Sequence, residues 1–174
     1  MGMIESTAPT GGKMSPLLAK VEAKVESTVK PNMKAAYNRI IAGGLKFAFD
    51  PKAHGTVVQG LDKSVDPVHD VAVGVVGILI LMSKKAQGTM PTEAMVPAGL
   101  VLVLHGLDYL EQTGRMQITN TEVDDATQTY ITNLQPKIGL NEKVMGQAVS
   151  GAQKAMQDPA LMAKYKESQN GNAQ

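Results

Sequence analysis

The side chains best suited to chemistry are His54, His69 and His105 and the carboxylates around them. His105 and Asp108 stand three apart within a helical pattern, so they share a helix face. An imidazole beside a carboxylate is the arrangement of a general base with its orienting partner. It is equally a polar interruption at the end of an apolar helix. His69 lies between Asp66 and Asp70 at a helix start, where capping and surface ion pairing call for the same residue types. A second acidic group, Asp108, Glu111, Glu122, Asp124 and Asp125, lacks the alternate spacing and central glycine of a calcium loop. It reads as a solvated face, and Asp124 and Asp125 fall in a first helical turn, where negative charge suits the helix dipole. No HExxH, GxGxxG or GxSxG pattern occurs, and Gly11-Gly12-Lys13 is followed by Met14 where a phosphate loop carries Ser or Thr. The expectation is no catalytic, cofactor-binding or metal site, and no enzymatic activity.

Composition narrows the function further. The chain has 174 residues, 43% of them hydrophobic and 19% charged, which suits one globular domain with a real core. A net charge of +1 excludes a globally basic nucleic-acid binder. A local basic set remains in the first third: Lys13, Lys20, Lys24, Lys30, Lys34, Arg39 and Lys46, against Glu5, Glu22 and Glu26. These residues can touch DNA phosphates or an acidic partner, or form an ordinary wet helix face. With acids gathered in the second half, the asymmetry also suits head-to-tail self-association. Tyrosine and phenylalanine are few and tryptophan is absent, which argues against a base-stacking platform. No cysteine is present, so disulfides, thiolate metal sites and a cysteine nucleophile are excluded. Methionine is abundant, with Met33, Met82, Met95, Met145, Met156 and Met162 at helical positions, where thioethers fill a core or give an adaptable surface.

The elements that must position these residues are punctuated by capping dipeptides. Ser15-Pro16, Asp50-Pro51, Asp66-Pro67 and Asp158-Pro159 each place a short oxygen-bearing side chain before a proline, the signature of a helix start. Thr119-x-x-Glu122 has the form of a capping box. The pattern predicts helices over 16–29, 32–49, 51–63, 67–87, 91–113, 119–138, 142–157 and 159–168, with Gly88 and Gly114 as left-handed caps. Pro97 and Pro136 mark kinks or boundaries, and Gly43-Gly44 a bend or a close contact. Val57, Val58 and Leu61 are expected inward.

Two apolar runs, Val71–Met82 and Ala94–Leu104, are shorter than the roughly 20 residues a bilayer-spanning helix needs. They are expected as the antiparallel centre of the bundle, joined by a short connection. On that basis Leu81→Asp and Leu102→Asp should each collapse the fold. Alternatively the hairpin 71–107 opens onto a membrane. The fold class is therefore all-α: a single-domain, multi-helix bundle over residues 15–168 around a central antiparallel apolar helix pair. Flexible tails are expected at 1–14 and 169–174. Gly2 and Ser6 fit a myristoylation pattern only loosely.

Three stretches resemble small helical virion-associated proteins of tailed bacteriophages: DPVHDVAVGVVGILILMSKKAQGTMP (66–91), EAMVPAGLVLVLHGLDYLEQTG (93–114) and AMQDPALMAKY (155–165). The resemblance implies a non-enzymatic structural or interaction component at the portal or neck, or inside the head for ejection with the DNA. Such a protein would be made in the host cytoplasm and end in the virion. Its partners would be other virion proteins and copies of itself, with DNA or membrane contact as further options. It transfers no functional residue. A membrane-active ejection or pore component, and a host-directed regulator or enzyme using His105 and Asp108, are the alternative classes.

Overall fold

The computed structural model describes residues 13–139, together with Ser150, Gln153 and Lys154. The helices expected over 142–157 and 159–168, the tail 169–174, and all but Lys13 and Met14 of the N-terminal tail lie outside the described residues. Within them the chain is all-α: α1 (Pro16–Ser27), a 3-10 turn (Pro31–Met33), α2 (Lys34–Ala48), α3 (Pro51–Lys63), α4 (Pro67–Lys85), α5 (Thr92–Gln112) and α6 (Asn120–Ile138).

The helix starts form where the capping residues place them. Asp50 accepts from the Lys52 amide at 2.8 Å, Asp66 from the His69 amide at 3.0 Å, and Ser15 Oγ from the Leu18 amide at 3.5 Å. Each satisfies an amide that the first helical turn leaves without a backbone partner. At α6, Thr119 and Glu122 close a full capping box, the Thr119 amide donating to Glu122 at 2.8 Å. Gly88, Gly114 and Gly139 take positive φ beyond the ends of α4, α5 and α6. α4 stops at Lys85 rather than Gln87, and Gln87 joins Gly88 in the left-handed region. Neither Pro97 nor Pro136 ends its helix; α5 and α6 run through them.

The core forms around α5. Every residue from Ala94 to Leu104 is buried, followed by Leu107, Asp108 and Leu110. α1, α2, α4 and α6 all pack against it. A helix apolar on all sides must be sheathed on all sides. α4 is at least as apolar, but among the described residues it is covered on one side: Val71, Ala72, Val75, Val76 and Leu79 are buried, while Val73 and Leu81 are 37% and 45% exposed. The two helices therefore do not share the centre equally. α5 is the axis, and α4 is an outer helix clasped between α5 and α6. Their contacts pair Val71 with Gly106 and Leu79 with Gly99.

Two expectations are corrected by this arrangement, and one pair of alternatives is resolved. Leu102 is core at 5% exposure, but Leu81 is 45% exposed, outside the buried α4 face that carries Val71, Val75 and Leu79. Val57 is 44% exposed, and α3 has no fully buried residue. Gly43-Gly44 is a close contact and not a bend: α2 continues through it, with Gly43 against Met82 and Gly44 against Leu102.

Candidate functional site

His105 and Asp108 lie on one turn of α5 but work in different directions. The His105 ring turns toward α1, where Nε2 stands 3.7 Å from Glu22 Oε1. Asp108 is 9% exposed, and its two oxygens have other partners. Oδ1 accepts from the Ser15 amide at 3.3 Å and Oδ2 from Gln112 Nε2 at 2.6 Å. Asp108 thus fastens the start of α1 to the end of α5, and no hydrogen bond joins it to His105 among the described residues. Spacing correctly placed both on neighbouring positions; what it could not show was that each meets a different point of the α1 region, His105 at Glu22 and Asp108 at Ser15.

The other polar groups disperse similarly. His69 and Asp70 are exposed neighbours, with Nδ1 and Oδ1 3.5 Å apart. A hydrogen bond from Ser64, helped by His69, holds the Asp70 carboxyl below its ordinary range. Of the acidic group, Glu122 belongs to the capping box, and Glu111 Oε1 accepts from the Ile118 amide at 3.4 Å. Partial burial pushes Glu122 up, but the Thr119 hydroxyl and amide outweigh it and bring it below its ordinary value. No group of three or more possible metal ligands forms among the described residues. The N-terminal basic set is partly neutralised: Lys30 pairs with Glu93 at 3.0 Å and Lys34 with Glu26 at 3.4 Å.

What the fold does build is an apolar cleft of about 450 Å³. It lies between the end of α2, α3, the uncovered side of α4 and the second half of α5. Leu45, Phe47, Leu61, Ile78, Leu81 and Leu102 supply most of its wall, with His54, Thr56, Asp70, His105 and Tyr109 as the polar residues. The ring of His54 stacks among Phe49 and Tyr109, with centroids 5.5 and 5.9 Å away. His54 Nδ1 is buried there without a hydrogen-bond partner. α3 closes this side of the molecule loosely. One of its ties is the Asp62–Arg115 ion pair, 2.6 Å long, with Arg115 also over the Tyr109 ring.

Helical glycines divide into two sets at this point. A side chain at Gly43, Gly44, Gly99 or Gly106 would strike Met82, Leu102, Tyr130 or Val71. Gly99 is the clearest case: its missing side chain lets the buried Tyr130 hydroxyl reach the carbonyls of Val96 at 3.1 Å and Met95 at 3.3 Å. A Cβ at Gly60, Gly74 or Gly77 would meet no other atom of the described residues within 4 Å, and all three line the cleft. Each costs its helix about 1 kcal/mol relative to Ala.

The cleft was not foreseen from the sequence. The only sequence signal that could have pointed to it was glycine recurring within α3 and α4. No family model, no curated protein and no solved structure matches the chain.

Proposed function

We propose that this chain is a non-enzymatic helical component of a tailed-phage particle, acting by packing its α4 side against other virion proteins or copies of itself. The observation that carries the reading is the uncovered half of α4. A helix of Val, Ile, Leu and Gly keeps Val73, Gly74, Gly77 and Leu81 at the surface, although burial of the same residue types is what holds α5 in place. Contiguous apolar surface of this kind marks a contact site. The resemblance of 66–114 to virion-associated proteins supplies the setting: synthesis in the host cytoplasm, then assembly into the portal, neck or head contents.

The test is protein mass spectrometry on purified particles made with the wild-type chain and with a Val73→Lys/Leu81→Lys variant. The expected result is wild-type protein in the particle and a folded variant left outside it. Absence of the wild-type chain from particles, or full incorporation of the variant, overturns the reading.

A second reading, a membrane-active ejection component, draws on helix length. α4 and α5 span 19 and 21 residues and are long and apolar enough to cross a membrane. Against it stands the sheath around α5, which α1, α2, α4 and α6 would all have to release. Flotation of the full chain with phosphatidylcholine vesicles distinguishes the two.

A further inference from the structure

We propose that the cleft between α2, α3, α4 and α5 is a binding site for a neutral single-chain amphiphile, its aliphatic chain lying along the glycine side of α4 and its hydroxyl head at His54. The site shares Gly74, Gly77 and Leu81 with the α4 contact face of the phage-particle reading, but the two fail separately: absence from particles leaves the site intact, and failure to bind amphiphile leaves the particle reading intact.

Size and shape select a slender ligand. A cleft of about 450 Å³ lies within the range of sites that enclose small molecules. A partner helix is roughly 10–12 Å across with its side chains, far broader than an extended hydrocarbon chain, and α3 forms one wall of the cleft, which favours the slender occupant. Gly60, Gly74 and Gly77 keep the walls low where it would run. Nothing inside the protein requires glycine at those positions, in contrast to Gly99 and Gly106, which have Tyr130 and Val71 against them. Low walls favour close approach of a ligand to the helix backbone.

Polarity selects the head. Phe47, Ile78 and Leu81 are among the apolar residues of the lining, and His54, Thr56, His105 and Asp70 are among its polar ones. His54 Nδ1 is buried and has no hydrogen-bond partner. A buried nitrogen of this kind is costly unless a ligand or a water meets it. A hydroxyl can donate or accept, so it satisfies either imidazole tautomer. Asp70 in the lining, and Glu22 beside His105, weigh against an anionic head.

The test is calorimetric titration of the full chain with decanol and with decanoate, on wild type, Gly77→Leu and His54→Phe. Leucine at 77 puts its Cβ in open space and is a better helix former than glycine, so that variant keeps its fold, which its urea midpoint checks. Saturable one-to-one binding of decanol is expected, with decanoate weaker by about tenfold. Gly77→Leu should abolish binding at an undiminished urea midpoint, and His54→Phe, which keeps the ring contacts, should weaken it severalfold. Unsaturable or absent decanol binding by wild type overturns the site, as does binding unchanged in Gly77→Leu. Preference for decanoate, or unchanged binding in His54→Phe, overturns the head assignment. Two other occupants are read in parallel and would each overturn the proposal: phosphatidylcholine vesicle binding lost in Gly77→Leu, and a drop from dimer to monomer mass in Gly77→Leu.

Discussion

Helices α4 and α5 are both built largely from Val, Leu, Ala and Gly, yet the fold uses them differently. From Ala94 to Leu104 α5 is buried at every position, whereas α4 buries the face carrying Val71, Val75 and Leu79 and leaves Val73 and Leu81 exposed. The difference does not lie in the helices' own residues. It lies in what surrounds them among the described residues: α1, α2, α4 and α6 all pack against α5, while α4 packs mainly on α5 and α6 and less closely on α2 and α3. The same contrast divides the glycines. Gly99 is small because Tyr130 and Leu79 press on it; Gly77 has nothing against it. An apolar helix whose surface exceeds what its neighbours cover is a helix with a second task.

The contrast can be broken most severely at Leu102. Leu102→Asp puts an unpaired charge beside Gly44 in the core, and loss of about 3–5 kcal/mol is expected. Urea unfolding monitored by circular dichroism checks it; a cooperative transition near the wild-type midpoint would contradict the placement. Gly99→Ala comes next. Its new methyl group meets the Tyr130 ring and hydroxyl and Leu79, for a loss of about 1–3 kcal/mol by the same measurement.

Thr119→Ala removes one side of the capping box, at about 1 kcal/mol. It should also flatten a pH dependence. Glu122 is lowered in the folded state, so it stabilises the fold above its unfolded value, near 4.5, and that contribution is lost as pH falls through the folded value. Urea midpoints compared between neutral and acid pH should converge for wild type and Thr119→Ala as the carboxylate is protonated. At the small end, Leu81→Asp should unfold within about 0.5 kcal/mol of wild type, since its side chain is already half in water.

The helices were readable because their signals are local. Ser15, Asp50, Asp66 and Thr119 cap the turn that immediately follows each of them, and no distant neighbour is needed to see it. Leu102 could be placed in the core because the whole of its run is apolar. Leu81 could not be placed outside it, because the run around Leu81 is apolar too, and the two differ only in how far the described residues cover them. His105 and Asp108 are a parallel case. Their spacing gave a shared face, but Glu22 and Ser15 arrive from another helix and draw them apart. His54 offered no local signal; its place beside Phe49 and Tyr109 exists only once α3 folds back on α5. The cleft is entirely a product of such long-range packing.

The most direct test of the difference between the two helices is one substitution made on each: Gly99→Ala on α5 and Gly77→Ala on α4, compared by urea midpoint in the full chain. Helix propensity alone favours alanine by about 1 kcal/mol at both positions. The expected result is opposite signs, with Gly77→Ala gaining roughly 0.5–1 kcal/mol and Gly99→Ala losing stability. Destabilisation of similar size at both positions would show that the outer side of α4 is as tightly held as α5, and would contradict an open α4 face.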